Sequence, residues 1–123
     1  MRWPLWRVAV AEASMQPALR PGDVVLVWRG LARAGHATKS DRVRIRPGQI
    51  VIARNPARQD MLVVKRAAWL EPDGWWLDSD NKLPEARDSA HFGLVPPWLI
   101  EGRVLTRCWP PWPRRARGRK HGA

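Results

Sequence analysis

Ser14 and Lys65 are the two residues of this chain whose types could form a catalytic pair. A serine hydroxyl attacks a peptide carbonyl only when a neighbouring base takes its proton. The histidines, His36, His91 and His121, lie in polar-loop or terminal sequence, so a serine-histidine-aspartate triad is not favoured. A lysine amine can act instead when it is neutral, and burial can lower its pKa from about 10.4 toward the roughly 7 to 8 that suits a base at neutral pH.

Apolar sequence surrounds Lys65 on both sides. Residues 61–64 precede it and residues 67–69 follow it, so its amine is expected in desolvated surroundings. The neighbouring Arg66 could not replace it, because a guanidinium does not release its proton. Without a wider pattern, Lys65 would be an outward-facing residue of a half-buried strand and Ser14 a turn hydroxyl.

A series of short motifs supplies that wider pattern. In chain order the motifs are Ser14-Met15-x-Pro17-x-Leu19-x-x-Gly22-Asp23, Pro47-Gly48-x-Ile50-Val51, Val64-Lys65-Arg66, Asp80-Asn81, Asp88-Ser89, Phe92-Gly93 and Gly102-Arg103-Val104. Across residues 8–107 the series resembles the S26 signal-peptidase family and, within it, the nickel-type superoxide dismutase maturation peptidases. The resemblance implies a serine endopeptidase with Ser14 as nucleophile and Lys65 as general base. Its substrate would be the N-terminal propeptide or signal-like extension of a precursor protein, here a nickel superoxide dismutase precursor.

The residues around the pair depart from the family pattern at several positions. The Ser14 backbone amide is the expected oxyanion donor, and Glu12 lies two residues before Ser14, where the family often has glycine or serine. We expect the Glu12 side chain to point outward, since an inward carboxylate would repel the oxyanion. Site support is expected from Asp80, Asn81, Asp88 and Ser89. Ala90 replaces a usual arginine, and Arg87 is expected to take its place as the partner of Asp80 or Asp88.

Substrate binding is expected along exposed strand edges, because an extended peptide can add to the edge of a sheet. Residues 8–12 and 61–64 are the predicted edges on either side of the pair. The predicted contact residues are Val8, Val10, Ala11, Met15, Leu62, Val63 and Val64.

Short β-branched and apolar runs between Gly and Pro turns predict an all-β fold. Strands are predicted at residues 8–13, 24–28, 50–53, 61–69, 74–78 and 99–107, and residues 42–46 alternate at the strand period. Residues 83–88 could form one short helical turn. The expected architecture is a single small domain of twisted antiparallel sheets with a partly open barrel, the catalytic fold of signal peptidases and LexA.

Composition sets the expected organisation. We expect a lead-in at 1–7, a peptidase domain at 8–108 and a flexible Pro/Trp-rich then Arg-rich tail at 109–123. Cys108 is the only cysteine, and no apolar stretch of about 18 residues occurs, so neither a disulfide, a spanning helix nor a signal peptide is expected. We therefore expect a cytoplasmic protein, peripheral to a membrane at most, without cofactor or metal cluster.

Two alternatives remain at this stage. A LexA-like self-cleaving repressor fragment would share the pair, because residues 48–54 and 64–66 resemble that family too. A non-enzymatic basic β-barrel that binds nucleic acid would use the net charge of +11 and the tryptophans, and would not depend on Ser14. Nucleic acid is the less favoured partner. The tryptophans that flank the termini, Trp3, Trp6, Trp109 and Trp112, suggest a peripheral membrane contact as a further hypothesis.

Overall fold

Strands dominate the architecture. The computed structural model describes residues 4–30, 44–82 and 86–111. In this part of the chain the strands form a six-stranded antiparallel sheet of order β1-β2-β6-β3-β4-β5, and the prediction of an all-β fold is confirmed. The strands are β1 (Leu5–Ala9), β2 (Val24–Trp28), β3 (Ile50–Asn55), β4 (Arg58–Glu71), β5 (Gly74–Asp78) and β6 (Ile100–Trp109).

Alternating residues of β3 face two different apolar clusters, as the strand period requires. Val51 and Ala53 belong to the first cluster, whereas Ile52 belongs to the second. The first cluster consists of Val51, Ala53, Ala67, Trp75, Leu77, Val95, Leu99 and Ile100. The second consists of Val10, Met15, Leu19, Val25, Val27 and Ile52. The central strand therefore ties both parts of the core together.

The connection from β1 to β2 is closed at its base by backbone hydrogen bonds. Val10 donates to the Asp23 carbonyl at 2.7 Å, and Gly22 donates to the Val10 carbonyl at 2.8 Å. Gly22 has a φ of +92°, which a glycine adopts without strain and other residues rarely do. The buried Asp23 carboxylate also accepts from the Arg20 amide at 2.8 Å. These hydrogen bonds thus hold residues 11–21 as a compact loop outside the sheet.

Several predicted elements need correction. The first strand ends at Ala9 rather than at residue 13, because the chain leaves β2 to enter the turn around Ser14. Residues 44–46 are not in a strand, and residues 42–43 lie outside the described residues. The short helix α1 spans Ser89–Phe92 instead of 83–88, of which residues 83–85 are not described, and its N-cap is Asp88. A 3-10 helix at Pro97–Leu99 was not predicted.

The ends of the chain are only partly described. β1 begins at Leu5, inside the expected lead-in, and β6 ends at Trp109, the first residue of the expected tail. Residues 1–3 and 112–123, with most of that tail, lie outside the described residues. In the part of the chain that is described, no helix has the length and apolar character needed to cross a membrane.

Candidate active site

Ser14 lies in the turn that follows β1. The Gln16 amide donates to the Ala13 carbonyl at 3.1 Å and the Leu19 amide to the Met15 carbonyl at 2.8 Å, so the turn is closed locally. Met15 and Leu19 are almost fully buried in the second cluster. These two apolar anchors fix the turn against the sheet, and Ser14 itself is only 7% exposed.

Lys65 lies on β4, opposite Val51 of β3. It is 2% exposed, although a lysine is almost never fully buried without a partner. Its amine donates to the Ser79 hydroxyl at 3.1 Å. A hydroxyl is a neutral partner, so it satisfies one donor of the amine without neutralising a positive charge.

Burial lowers the pKa of Lys65 from its ordinary value of 10.5. The cause is the loss of water around the amine, which disfavours the charged form. The carboxylates of Asp88 and Glu12 oppose this effect and raise the pKa, while the nearby charge of Lys82 lowers it further. The net result is an amine that gives up its proton more readily than an exposed lysine does.

Ser14 and Lys65 line one small cleft of about 210 Å³. All seven predicted substrate-contact residues lie there with them, together with Glu12, so the structure brings the expected contact residues together in one place. The full lining is Val8, Ala9, Val10, Ala11, Glu12, Ser14, Met15, Ile52, Leu62, Val63, Val64 and Lys65. Apart from Glu12, Ser14 and Lys65, these side chains are apolar, so the cleft suits a weakly hydrated peptide segment.

Asp80 and Asn81 connect the turn of Ser14 to the sheet. The backbone N–H of Asn81 donates to the Ser14 carbonyl at 2.8 Å, and the side-chain Nδ2 of Asn81 donates to the Ala13 carbonyl at 3.1 Å. Asp80 forms a bidentate ion pair with Arg66, with Nε–Oδ1 and Nη2–Oδ2 distances of 2.8 and 2.6 Å. The two neighbouring residues therefore join the turn of Ser14 to the strand of Lys65.

Asp88 and Ser89 hold the other end of this loop. The Asp88 carboxylate accepts from the backbone amides of Ser79 at 3.1 Å and Ala90 at 3.0 Å. Burial opposes the charged form of Asp88, but these hydrogen bonds prevail and its pKa is lowered. The Ser89 hydroxyl accepts from the Leu77 amide at 2.8 Å. Ser79, the partner of Lys65, is thus fixed by its own backbone.

One expectation about charged neighbours was wrong. Arg66, rather than Arg87, is the partner of Asp80, and Asp88 binds backbone amides. Glu12 is exposed to solvent at the margin of the site. It lines the cleft, and its carboxylate is close enough to Lys65 to raise the pKa of that amine. The carboxylate is therefore part of the electrostatics of the site.

Ser79 was missed by sequence reasoning as a site residue. It directly precedes the Asp80-Asn81 motif but is not part of it. The feature that could have indicated a role for Ser79 is its hydroxyl directly after β5, the strand that neighbours the strand of Lys65. Only the register of β4 and β5 shows that this hydroxyl reaches the amine.

A second cavity of about 780 Å³ lies apart from the cleft and shares no lining residue with it. Arg44, Arg46 and Arg103 line it, with Trp75 and Leu70 among its apolar residues. It contains no serine and no lysine among its described lining residues, so the predicted Ser14–Lys65 pair lies in the smaller cleft alone. Within the described ranges, no three His, Cys, Asp or Glu side chains are grouped as a metal site would require.

Comparison with known proteins decides the family. The mitochondrial ATP-independent inner membrane protease subunit 1a of Arabidopsis thaliana is 34% identical over 121 residues, covering 80% of this chain and 67% of that protein. The mitochondrial inner membrane protease subunit 1 of Xenopus tropicalis is 32% identical and that of Mus musculus 30%, each over 123 residues. These alignments cover 84% of this chain and 68% and 69% of the two relatives.

The chain belongs to the S26 family of signal-peptidase-like proteases. No protein-family model matches it. Membership of the S26 family agrees with the all-β architecture described above. It also means that the chemistry to be explained is the hydrolysis of a peptide bond.

Proposed function

We propose that the chain is a serine endopeptidase in which Ser14 is the nucleophile and Lys65 the general base. The observation that carries this proposal is that a serine hydroxyl and a buried lysine amine line the same small, mainly apolar cleft. The lowered pKa of Lys65 supports it, because only the neutral amine can accept the serine proton. Family membership makes proteolysis the expected activity.

The reaction follows from these two groups. The neutral Lys65 amine takes the proton of the Ser14 hydroxyl as Oγ bonds to the scissile carbonyl carbon. The Ser14 backbone amide donates to the resulting oxyanion. The Lys65 ammonium then returns its proton to the departing amine nitrogen, which leaves an acyl ester on Ser14. Water, deprotonated by the same lysine, attacks the ester carbonyl, and the lysine passes that proton to Oγ of Ser14 as the acid product leaves.

Two free strand edges support the binding of an extended peptide. β1 is the last strand at one end of the sheet, so one of its edges is unpaired within the described residues. On β4, the pairing with β5 covers Arg66–Glu71, so within the described part of the chain residues 62–64 pair with β3 alone. A substrate strand could hydrogen-bond to either edge while its side chains enter the cleft.

We propose that the substrate is the N-terminal extension of a precursor protein, with a nickel superoxide dismutase precursor as the specific candidate. The extension is proposed from family membership, and the specific precursor from the sequence resemblance alone. The relatives named above are inner membrane protease subunits. We propose a cytoplasmic location for this chain, with at most a peripheral contact with the membrane.

A cleavage assay tests the proposed function. The purified chain is incubated with a nickel superoxide dismutase precursor, and the product's amino terminus is read by mass spectrometry. We expect one cut, lost in Ser14→Ala and in Lys65→Met, with both variants shown to be folded by circular dichroism. Retention of the cut in either variant would refute the proposed roles. A cut in other precursors but not in this one would overturn only the substrate.

The alternatives have different outcomes in the same samples. A self-cleaving LexA-like fragment would cut its own chain and leave the precursor intact. The arginine-lined cavity is the observation that favours a nucleic-acid-binding module. Such a module would leave the precursor uncut and would bind nucleic acid with strong salt dependence, unchanged by Ser14→Ala.

A further inference from the structure

The cleft presents one accessible charge to its occupant. Among its described lining residues, Glu12 is the only acidic side chain and Lys65 the only basic one. Lys65 is 2% exposed and neutral in its active form, whereas Glu12 is exposed. A peptide that enters the cleft therefore meets a carboxylate among apolar side chains.

In the part of the chain that the structure describes, the Glu12 carboxylate forms no ion pair, and Lys65 is a cation whose pKa its charge raises. Among the described residues, the ion pairs of the acidic side chains join Arg54 to Glu101, Arg58 to Asp60, Arg66 to Asp80 and Lys82 to Asp78, with His91 near Asp88. Glu12 is in none of these pairs. Its charge is therefore available to a group supplied by the substrate.

The position of Glu12 brings that group near the bond to be cut. Glu12 is two residues before Ser14 in the chain and follows residues 8–11, which line the same cleft. A peptide that places its carbonyl at the Ser14 hydroxyl thus has side chains within reach of Glu12. A cationic side chain there would pair with the carboxylate and would also weaken its repulsion of the developing oxyanion.

We infer that Glu12 selects substrates with a lysine or arginine side chain close to the scissile bond. This inference rests on the proposed function, since it names the substrate class of the same site. A charge contact at a partly solvated position changes affinity by about tenfold. The preference is expected in both binding and turnover, because the cation also stabilises the transition state.

Matched peptides test the inference. The peptides carry Lys, Gln or Glu at one position next to the cut, and the positions on either side of the cut are varied in turn. The kcat/KM of each peptide is measured with the wild type, Glu12→Gln, Glu12→Lys and Asp73→Asn. The control, Asp73, is an exposed acid of the β4–β5 turn, outside the cleft. We expect the wild type and Asp73→Asn to prefer Lys over Glu by about tenfold, Glu12→Gln to lose this preference and Glu12→Lys to reverse it.

Ratios between peptides isolate specificity from reactivity. Removing the Glu12 charge also lowers the pKa of Lys65, but that change affects every peptide alike at one pH. A preference for Lys that survives in Glu12→Gln, or a wild type without any charge preference, would overturn the inference while leaving the protease intact.

Binding to the inactive Ser14→Ala variant separates the two proposals. Fluorescence anisotropy of the same labelled peptides should show tighter binding of the Lys peptide, lost when Glu12→Gln is added. This charge-dependent binding with no cleavage by the wild type would refute the protease and support the cation selectivity. Equal binding of all three peptides would contradict the selectivity whether or not cleavage occurs.

Discussion

At the scale of single residues, the site depends on a lysine placed where a charged amine is unfavourable. A buried charge is costly unless it is paired, and the one direct partner described for the Lys65 amine is the neutral hydroxyl of Ser79. The carboxylates of Asp88 and Glu12 act on it from nearby and limit the fall of its pKa. The balance among these groups sets the pH at which the base becomes active.

The charge of Lys82 also affects the pKa of Lys65, and a substitution of Lys82 should shift that pKa in a known direction. Lys82 lowers the pKa of Lys65, so Lys82→Gln should raise it. The neutral amine then forms at higher pH, so the acidic limb of the profile of kcat/KM against pH should move to higher pH. Arg58→Gln, an exposed cation elsewhere, is the control. A shift of the limb to lower pH, or equal shifts in both variants, would argue against Lys65 as the titrating base.

Ser79 should act as a positioning residue for Lys65. Ser79→Ala removes the acceptor at 3.1 Å and frees the amine to turn away from Ser14. Losing one such hydrogen bond should lower kcat by about tenfold, with KM nearly unchanged, and Ser79→Thr should recover most of the loss. Steady-state kinetics measure this split. An equal loss in the Thr variant, or a change confined to KM, would mean that the hydroxyl only supports the loop.

At the scale of elements, the turn of Ser14 and the strand of Lys65 are joined by the loop after β5. Arg66 and Asp80 form its charged link, and Asn81 forms its link to the turn. The guanidinium also donates to the Gly48 carbonyl at 2.7 Å. Arg66, next to Lys65, thus holds the segment that in turn holds the turn of Ser14.

The bidentate geometry of the Arg66–Asp80 pair should contribute more to stability than its charge alone. Arg66→Lys keeps the charge but cannot form two parallel hydrogen bonds, so the free energy of unfolding should fall by about 1 kcal/mol. Arg58→Lys is a matched control, since the Arg58–Asp60 pair is long, at 3.9 Å, and its side chains are 68% and 79% exposed. It should change stability little. Equal effects of the two substitutions in urea unfolding would contradict this prediction.

The elements differ in how far sequence could predict them. β2 and β5 match their predicted bounds, because a compact β-branched or aromatic run sits between clear turn signals. β1 was predicted at 8–13 because the apolar run continues past Ala9, but the strand ends there and only Val10 of residues 10–13 joins the second cluster. α1 was missed because four residues are too few for helical periodicity, and only its Asp88 cap marks it.

The residues of the site likewise divide into those that local motifs predict and those that they do not. Ser14 and Lys65 were proposed from motif order, and the residues expected around them do line one cleft. The Ser79 contact and the Arg66–Asp80 pair depend on strand register and loop closure, which no local pattern encodes. The position of Glu12 beside the cleft likewise depends on how the chain leaves β1.

At the scale of the whole molecule, the fold carries a group that works against its stability. Lys65 is almost fully buried between residues of a well-packed sheet, where an uncharged side chain would be more favourable. Active sites often retain such groups because function requires them. Stability and activity should therefore respond in opposite directions to its removal.

Lys65→Met should stabilise the fold while abolishing activity. A lysine whose pKa is lower when folded destabilises fully below the folded pKa, and the cost disappears as pH rises past the unfolded value. At neutral pH the variant should gain about 1 kcal/mol, and the gain should shrink toward pH of about 10.4. Urea unfolding across pH measures it, with Arg58→Met, at an exposed cation that does not act on Lys65, as control. A loss of stability that is independent of pH would contradict this account.

The most direct test is a double-mutant cycle on the proposed pair. The kcat for cleavage of one peptide is measured for the wild type, Ser14→Ala, Lys65→Met and the double variant. If the two residues act as a unit, each single substitution should lower kcat by on the order of 10⁴-fold, and the double variant should be no slower than either. Losses that multiply in the double variant, or a single variant that retains most of the activity, would contradict a Ser14–Lys65 dyad.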